Sequence, residues 1–269
     1  MNPASCCVNP WHHLIRFFLD FRMKIAVLGD IHSNLEALNA VLEETKRLGC
    51  EKYVCIGDIV GYNANPRECL EIVRSLDLLA VVMGNHDSYT SNTRELIGFN
   101  LQAAQAVEWT RQQLTEEELT WLGNLPMKRD IFLTSPPARF SVVHSTMDNP
   151  NMWGYIFDRF TAAASMQYQW TPLCFFGHTH TPLAFDKTDT VIGGLYESLR
   201  LLPNHKYLIN VGSVGQPRDR DPRAAFVTYD VEMGLVTLHR VEYDIATSQQ
   251  KIIDSGLPAR LAERLAIGR

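Results

Sequence analysis

Six short apolar runs, each ending in a polar turn, constrain the fold of this chain more than any other feature. Ile25-Ala26-Val27-Leu28 runs into Gly29-Asp30-Ile31-His32, and Tyr53-Val54-Cys55-Ile56 runs into Gly57-Asp58. Leu79-Ala80-Val81-Val82-Met83 leads to Gly84-Asn85-His86-Asp87, and Ser141-Val142-Val143 leads to His144. Leu173-Cys174-Phe175-Phe176 leads to Gly177-His178-Thr179-His180, and Tyr207-Leu208-Ile209 to Asn210-Val211-Gly212-Ser213. Runs this short, rich in β-branched and aromatic residues, predict strands buried on both faces.

Helical patterns separate the first three runs. Between 35 and 48 the apolar positions are Leu35, Leu38, Val41, Leu42 and Leu48, with Gly49 as the stop. A second helix is expected from Pro66 to Leu76, with Asn65 as N-cap and Pro66 at the first helical position. Strand–helix–strand alternation implies right-handed crossovers and a largely parallel sheet. The second half reads differently. Strands are expected at 183–186, 190–192, 223–230 and 235–243, with Gly193-Gly194 and Met233-Gly234 as turns, which suggests a second, more antiparallel sheet. Helices are expected at 101–114, 115–122, 158–170, 245–253 and 258–267. The predicted fold class is therefore α/β (α+β): two β-sheets with flanking helices in one domain, residues 23–243, followed by a helical tail at 244–269.

Residues 1–22 stand apart. Trp11 to Phe21 is apolar and aromatic but is interrupted by Arg16 and Asp20, and it lacks the parts of a signal peptide. An extension outside the fold, from a misplaced start codon, is the plainer account; an amphipathic docking segment is the other. No run of 18 apolar residues exists, so no membrane span is expected. The six cysteines form no CxxC pair, and a reducing cytoplasm fits them. A net charge of −5 makes broad attraction to nucleic acid or to an anionic membrane unlikely, although a local positive site could still hold one anionic ligand. Oligomeric state is open.

In open α/β sheets, ligands bind beyond the carboxyl ends of the strands. Six neighbouring strands would bring Asp30, His32, Asp58, Asn85, His86, His144, His178 and His180 to one rim. Imidazole and carboxylate together suit manganese, iron, zinc or related ions. One ion does not need so many ligands, so two are expected. Ions of a catalytic pair sit about 3.5–4 Å apart and need a bridging anion. Asp58, in its tight turn, is the candidate bridge, with a metal-bound hydroxide as the second. The residual positive charge favours a phosphoryl group.

Asp30-Ile31-His32, Gly57-Asp58, Gly84-Asn85-His86-Asp87, His144 and Gly177-His178-Thr179-His180, in that order, resemble the signature of the calcineurin-like metallophosphoesterases. The resemblance covers residues 23 to about 243. It implies a four-layer sandwich of two mixed β-sheets between helices, and metal-dependent phosphoester hydrolysis of a small phosphorylated substrate. It also implies that Asp30, His32 and His180 bind one metal, that Asn85, His144 and His178 bind the other, and that Asp58 bridges them. Two divalent ions are implied, manganese first, with iron, zinc, nickel or magnesium as alternatives. His86 would face the substrate, stabilising phosphoryl oxygens or protonating the leaving oxygen. The family's protein phosphatases carry an Asp-Arg pair where this chain has Gly61-Tyr62. The chain resembles instead the small bacterial members that act on phosphodiesters and nucleotides. Arg218 or Arg220 is the candidate for the missing phosphate contact.

Other residues carry plainer expectations. Asp87 reads as a capping carboxylate, and His205 and His239 as ordinary surface or strand residues. Trp153, Tyr155 and Trp170 are placed to flank a nucleobase only if packing, the plainer account, does not hold them. A non-catalytic scaffold, a protein phosphatase and a DNA nuclease are the competing functions.

Overall fold

The computed structural model describes residues 23–92, 96 and 100–269. The expectation for 1–22 lies outside them. Strand β1 (Lys24–Leu28) pairs in parallel with β2 (Lys52–Cys55), and β2 with β3 (Leu78–Val81). Helix α1 (Leu35–Arg47) makes the first crossover and α2 (Pro66–Ser75) the second. The Asn34 side chain caps α1 by accepting from the Ala37 N–H at 3.1 Å. Asn65 is the N-cap of α2, but its side chain makes no cap bond and donates instead to Glu68 at 2.9 Å.

Short helices α3 (Asn85–Ser91), α4 (Leu101–Gln113) and α5 (Glu116–Gly123) follow. Strands β4 (Lys128–Thr134) and β5 (Pro137–Val143) form an antiparallel hairpin, and β5 pairs in parallel with β6 (Leu173–Phe176) after helix α6 (Arg159–Met166). The remaining strands are β7 (Ala184–Lys187), β8 (Val191–Gly194), β9 (Ser198–Arg200), β10 (Lys206–Asn210), β11 (Ala224–Asp230) and β12 (Leu235–Val241). Helices α7 (Ile245–Asp254) and α8 (Ala259–Leu265) close the chain.

Two six-stranded mixed sheets result, ordered β3-β2-β1-β11-β12-β9 and β4-β5-β6-β10-β7-β8. This corrects two expectations. The six runs do not lie side by side: three belong to each sheet. The late strands do not form a sheet of their own, because β11 pairs antiparallel with β1 and draws β12 and β9 into the first sheet. Gly193-Gly194 is not a turn; both residues pair with β7. The helix expected at 158–170 ends at Met166.

Alternation along the strands explains the layers. Ile25 and Val27 of β1 face inward, with Phe140, Val142, Phe175 and Ile209 of the other sheet, and form the central core. Ala26 and Leu28 face outward, onto Leu38 and Val41 of α1 and Leu70 and Val73 of α2. On the far side, Val143, Cys174, Phe176 and Leu208 pack on Ala162 and Met166 of α6. Both faces of each sheet are thus covered, which leaves the strand ends as the place for polar residues. The C-terminal helices dock on the first sheet's flank. Lys251 pairs with Glu36, Ser248 donates to Asn34 Oδ1 at 3.0 Å, and Leu261 and Leu265 are buried with Tyr62, Ala103 and Ala106.

Candidate metal centre

The loops that follow β1, β2, β3, β5 and β6 meet at the shared edge of the two sheets. Backbone bonds lock the first two together: the Asp30, His32 and Ser33 N–H groups donate to Gly57, Asp58 and Ile59 carbonyls at 2.9–3.0 Å. The third loop is pressed against them. A Cβ on Gly84 would stand 2.1 Å from Asp58 Oδ1, so only glycine allows this approach. Asp87 ties the same loops by accepting from the Ile59 N–H at 2.9 Å, the Val60 N–H at 3.2 Å and the Gly84 N–H at 3.0 Å. Burial and the Asp58 charge push its carboxyl upward, while the Gly84 and Val60 N–H groups pull the other way. The capping role expected of Asp87 is what it performs, with a cross-loop tie added.

The backbone is strained where the polar groups converge. Asp30, His32, Asp58, His178 and His180 all hold positive φ, between 49° and 66°. Such left-handed conformations persist in non-glycine residues only where the surroundings over-determine them.

Two groups of potential ligands share one carboxylate. Asp30, His32, Asp58 and His180 form one, and Asp58, His144 and His178 the other, with the ligand atoms of each lying within 4.8 Å of one another. Asp58 Oδ2 lies 3.4 Å from His32 Nε2 and 3.4 Å from His144 Nε2. Asn85 Oδ1 joins the second group, 3.2 Å from His144 Nε2. All are buried. The seven residues expected from the sequence are therefore brought together.

The chemistry of this donor set fits cations. Each imidazole donates its outer N–H to a backbone carbonyl: His32 Nδ1 to Val60 at 3.1 Å, His144 Nδ1 to Ile56 at 2.9 Å, His178 Nε2 to Trp153 at 2.9 Å and His180 Nδ1 to Gln216 at 2.6 Å. The inner nitrogens face each other, and all but that of His144, which carries a proton in the cation-free centre, are left as lone pairs. His32 Nε2 and His180 Nε2 are 3.1 Å apart, and His144 Nε2 and His178 Nδ1 are 3.2 Å apart. Opposed lone pairs repel unless a positive charge lies between them. Outer bonds of this kind orient metal-binding histidines elsewhere.

Titration points the same way. Burial pulls the His144 imidazolium down, but Asp58 and Asp30 outweigh it and hold it up at about 9. Burial pushes the Asp58 carboxyl up, yet His144 and His32 keep it well below the usual carboxylate range. Burial drives His32 and His178 well below their ordinary value. A single proton on His144 thus stands in for positive charge.

His86 sits beside the groups rather than within them. Its N–H donates to Asp58 Oδ1 at 2.8 Å, and its ring lies 4.8 Å from the His32 ring, edge-on. Burial, aided by Arg218, lowers it to about 4. The Tyr62 ring packs on it at 4.3 Å. Gly61, at φ 98°, makes room: a Cβ there would meet His86 Nδ1 at 2.5 Å. Arg218 donates to Gln216 Oε1 at 3.0 Å and to the Tyr62 hydroxyl at 3.3 Å, and its buried Nε has no hydrogen-bond partner among the described residues. Its backbone N–H donates to the His180 carbonyl. Arg220 is exposed, and its backbone N–H donates to Gly268. His205 pairs with Asp186 at 2.8 Å, apart from the centre. Trp170 is exposed.

Sequence reasoning missed Arg264, whose guanidinium lies 6.0 Å from the Tyr62 ring on the side of the C-terminal helices. No motif marks it. Tyr62 had a signal, as the residue standing where the resemblance places the arginine of the protein phosphatases.

A model of the calcineurin-like phosphoesterase superfamily domain matches residues 23–234. The chain belongs to the calcineurin-like phosphoesterase superfamily. An uncharacterised protein of Methanocaldococcus jannaschii is 41% identical over 246 residues, 91% of this chain and 98% of its own. A metallophosphoesterase from Sphaerobacter thermophilus superposes with a TM-score of 0.80 at 38% identity, covering 93% of this chain and 100% of that one. A hypothetical protein from Pyrococcus horikoshii has the same fold, with a TM-score of 0.76 at 21% identity over 92% of this chain and 99% of its own. This calcineurin-like protein is a phosphoester hydrolase, and the superfamily works with divalent metals. No helix among its described residues is long and apolar enough to cross a membrane.

Proposed function

We propose that this phosphoesterase cleaves phosphodiesters or nucleotide phosphates with two divalent ions, manganese first, one held by Asp30, His32 and His180 and one by Asn85, His144 and His178, with Asp58 shared. The supporting observation is the position of Asp58 Oδ2, 3.4 Å from a histidine nitrogen of each group. When bound, the ions would supply Lewis acidity that activates water and offsets phosphoryl charge. The chain's own residues then orient and stabilise. His86, neutral at physiological pH, offers an N–H to a phosphoryl or leaving oxygen, and an anionic substrate would raise its affinity for a proton. Arg218 supplies the phosphate contact in preference to Arg220, because its orphaned Nε needs an acceptor. Tyr62 fills the place of the phosphatases' arginine, which argues against a dedicated protein phosphatase. The free, buried Cys50, Cys55, Cys69 and Cys174 suit a cytoplasmic location.

Manganese-loaded protein should hydrolyse a bis-aryl phosphodiester, and a chelator should abolish turnover. No turnover of any phosphoester with several metals would leave only a binding scaffold. Arg218→Ala should raise the KM several-fold, as expected for a lost charge-assisted bond, whereas Arg220→Ala should not; an unchanged KM in both would remove the arginine contact.

Metal affinity should depend on pH. Below about 9 the cation-free centre carries the His144 proton, which an incoming ion must displace. Manganese binding at neutral pH should therefore release protons and tighten as pH rises. Calorimetry in buffers of different ionisation enthalpy measures this, and zero proton release would take His144 out of the ligand set.

A further inference from the structure

We propose that Tyr155 and Phe157 form a stacking shelf for the base of a nucleoside carried by the ester substrate. The inference rests on the phosphoesterase reading above and adds the part of the substrate remote from the phosphorus.

Three aromatic rings step outward from the centre. Tyr155 stacks on His178 with centroids 4.3 Å apart and planes 24° apart. Phe157 lies nearly parallel to Tyr155, at 5.6 Å and 4°. The inner ring belongs to the ligand groups, and the outer two are 51% and 57% exposed. Exposed aromatics of this size are ordinary when scattered singly. A parallel pair continuous with a buried centre is a different matter, because it carries a flat, half-exposed apolar surface outward from the ligand groups.

The segment that carries the rings is pinned. Trp153 accepts the His178 Nε2–H through its carbonyl. Ile156, between the two rings, is 1% exposed and plugged into the core beside α6. Asp158 then caps α6 by accepting from the Phe160 and Thr161 N–H groups at 2.7 and 2.9 Å. Ile156 is anchored inward, and Tyr155 and Phe157 on either side of it are left exposed and parallel. The shelf is therefore held in place before any ligand arrives, which lowers the entropic cost of binding.

The occupant follows from this chemistry. A phosphoryl group at the metal groups fixes one end of the substrate. A flat ring one sugar away would continue the stack, since every base has a π-face. An aliphatic alcohol would gain little there.

The test uses the manganese-loaded full chain. kcat/KM is measured for AMP against ribose 5-phosphate, and for the methyl diester of each, so that monoester and diester preference are both covered. The wild type should favour the adenine-bearing ester by at least about tenfold, or 1.4 kcal/mol, a size typical of one stacked base. Phe157→Ala should bring that ratio close to one, and Phe157→Trp should preserve it. Saturation-transfer NMR of adenosine alone gives a readout without turnover: a signal in the wild type that weakens in Phe157→Ala is expected. A base preference that survives Phe157→Ala, or its absence in an active wild type, overturns the shelf. Failure to hydrolyse any of the esters overturns the phosphoesterase reading instead, and the adenosine signal alone then decides for or against the shelf.

Discussion

Asp58→Asn should strip the protein of its divalent ions and of its turnover together. The amide keeps the shape of the carboxylate and can still accept the His86 N–H now bound at 2.8 Å. The loop should therefore stay folded. What disappears is the shared negative charge between two ligand groups whose other donors are mostly neutral. Loss of an outer hydrogen-bond partner typically costs 10–100-fold in metal affinity, and loss of a bridging charge should cost more. Elemental analysis should find fewer than one ion per chain after dialysis, against two in the wild type. Two retained ions in the variant would show that Asp58 is not the bridge.

His86→Ala should behave in the opposite way. It should keep its metal and lose rate, by on the order of 10²–10⁴-fold for a lost acid–base or hydrogen-bonding group. Its ring packs edge-on against His32 and at a tilt against Tyr62, outside the two ligand groups. Removing it leaves a gap beneath Tyr62 but takes no ligand away. The decisive comparison is metal content against kcat on one preparation. A variant emptied of metal would place His86 among the ligands and void the role given to it here.

The legible part of this molecule was the part written in local pattern. The runs at 25–28, 53–56 and 173–176 announce strands because each is short, apolar, rich in β-branched or aromatic residues, and ends abruptly in Gly-Asp or Gly-His. Their ends predicted the convergence of Asp30, Asp58, His178 and His180 because strand ends are where a sheet covered on both faces can carry polar groups. Pairing between strands distant in sequence was not legible. Nothing in Ala224–Asp230 tells that it lies antiparallel to β1, since a strand buried on both faces has no preferred neighbour in its own composition. The hairpin strand β4 was missed because Lys128, Arg129 and Asp130 mask its alternation. Arg264 was invisible for a related reason. Its approach to Tyr62 depends on how α8 docks, through Leu261 and Leu265, and that is a property of the tertiary packing. Arg218 and Arg220 looked equivalent in sequence, and only burial separates them.

The division of the ligands between two sheets has a thermodynamic consequence. Asp30 and Asp58 follow strands of one sheet, while His144, His178 and His180 follow strands of the other. An ion held between them would brace the sandwich across its central seam. Unfolding must then release the ion, so loading would add about 2.7 kcal/mol of stability at a free concentration one hundred times the Kd. Melting temperature would thus rise with metal concentration, and the same residues that set the chemistry would set how long the two halves stay joined.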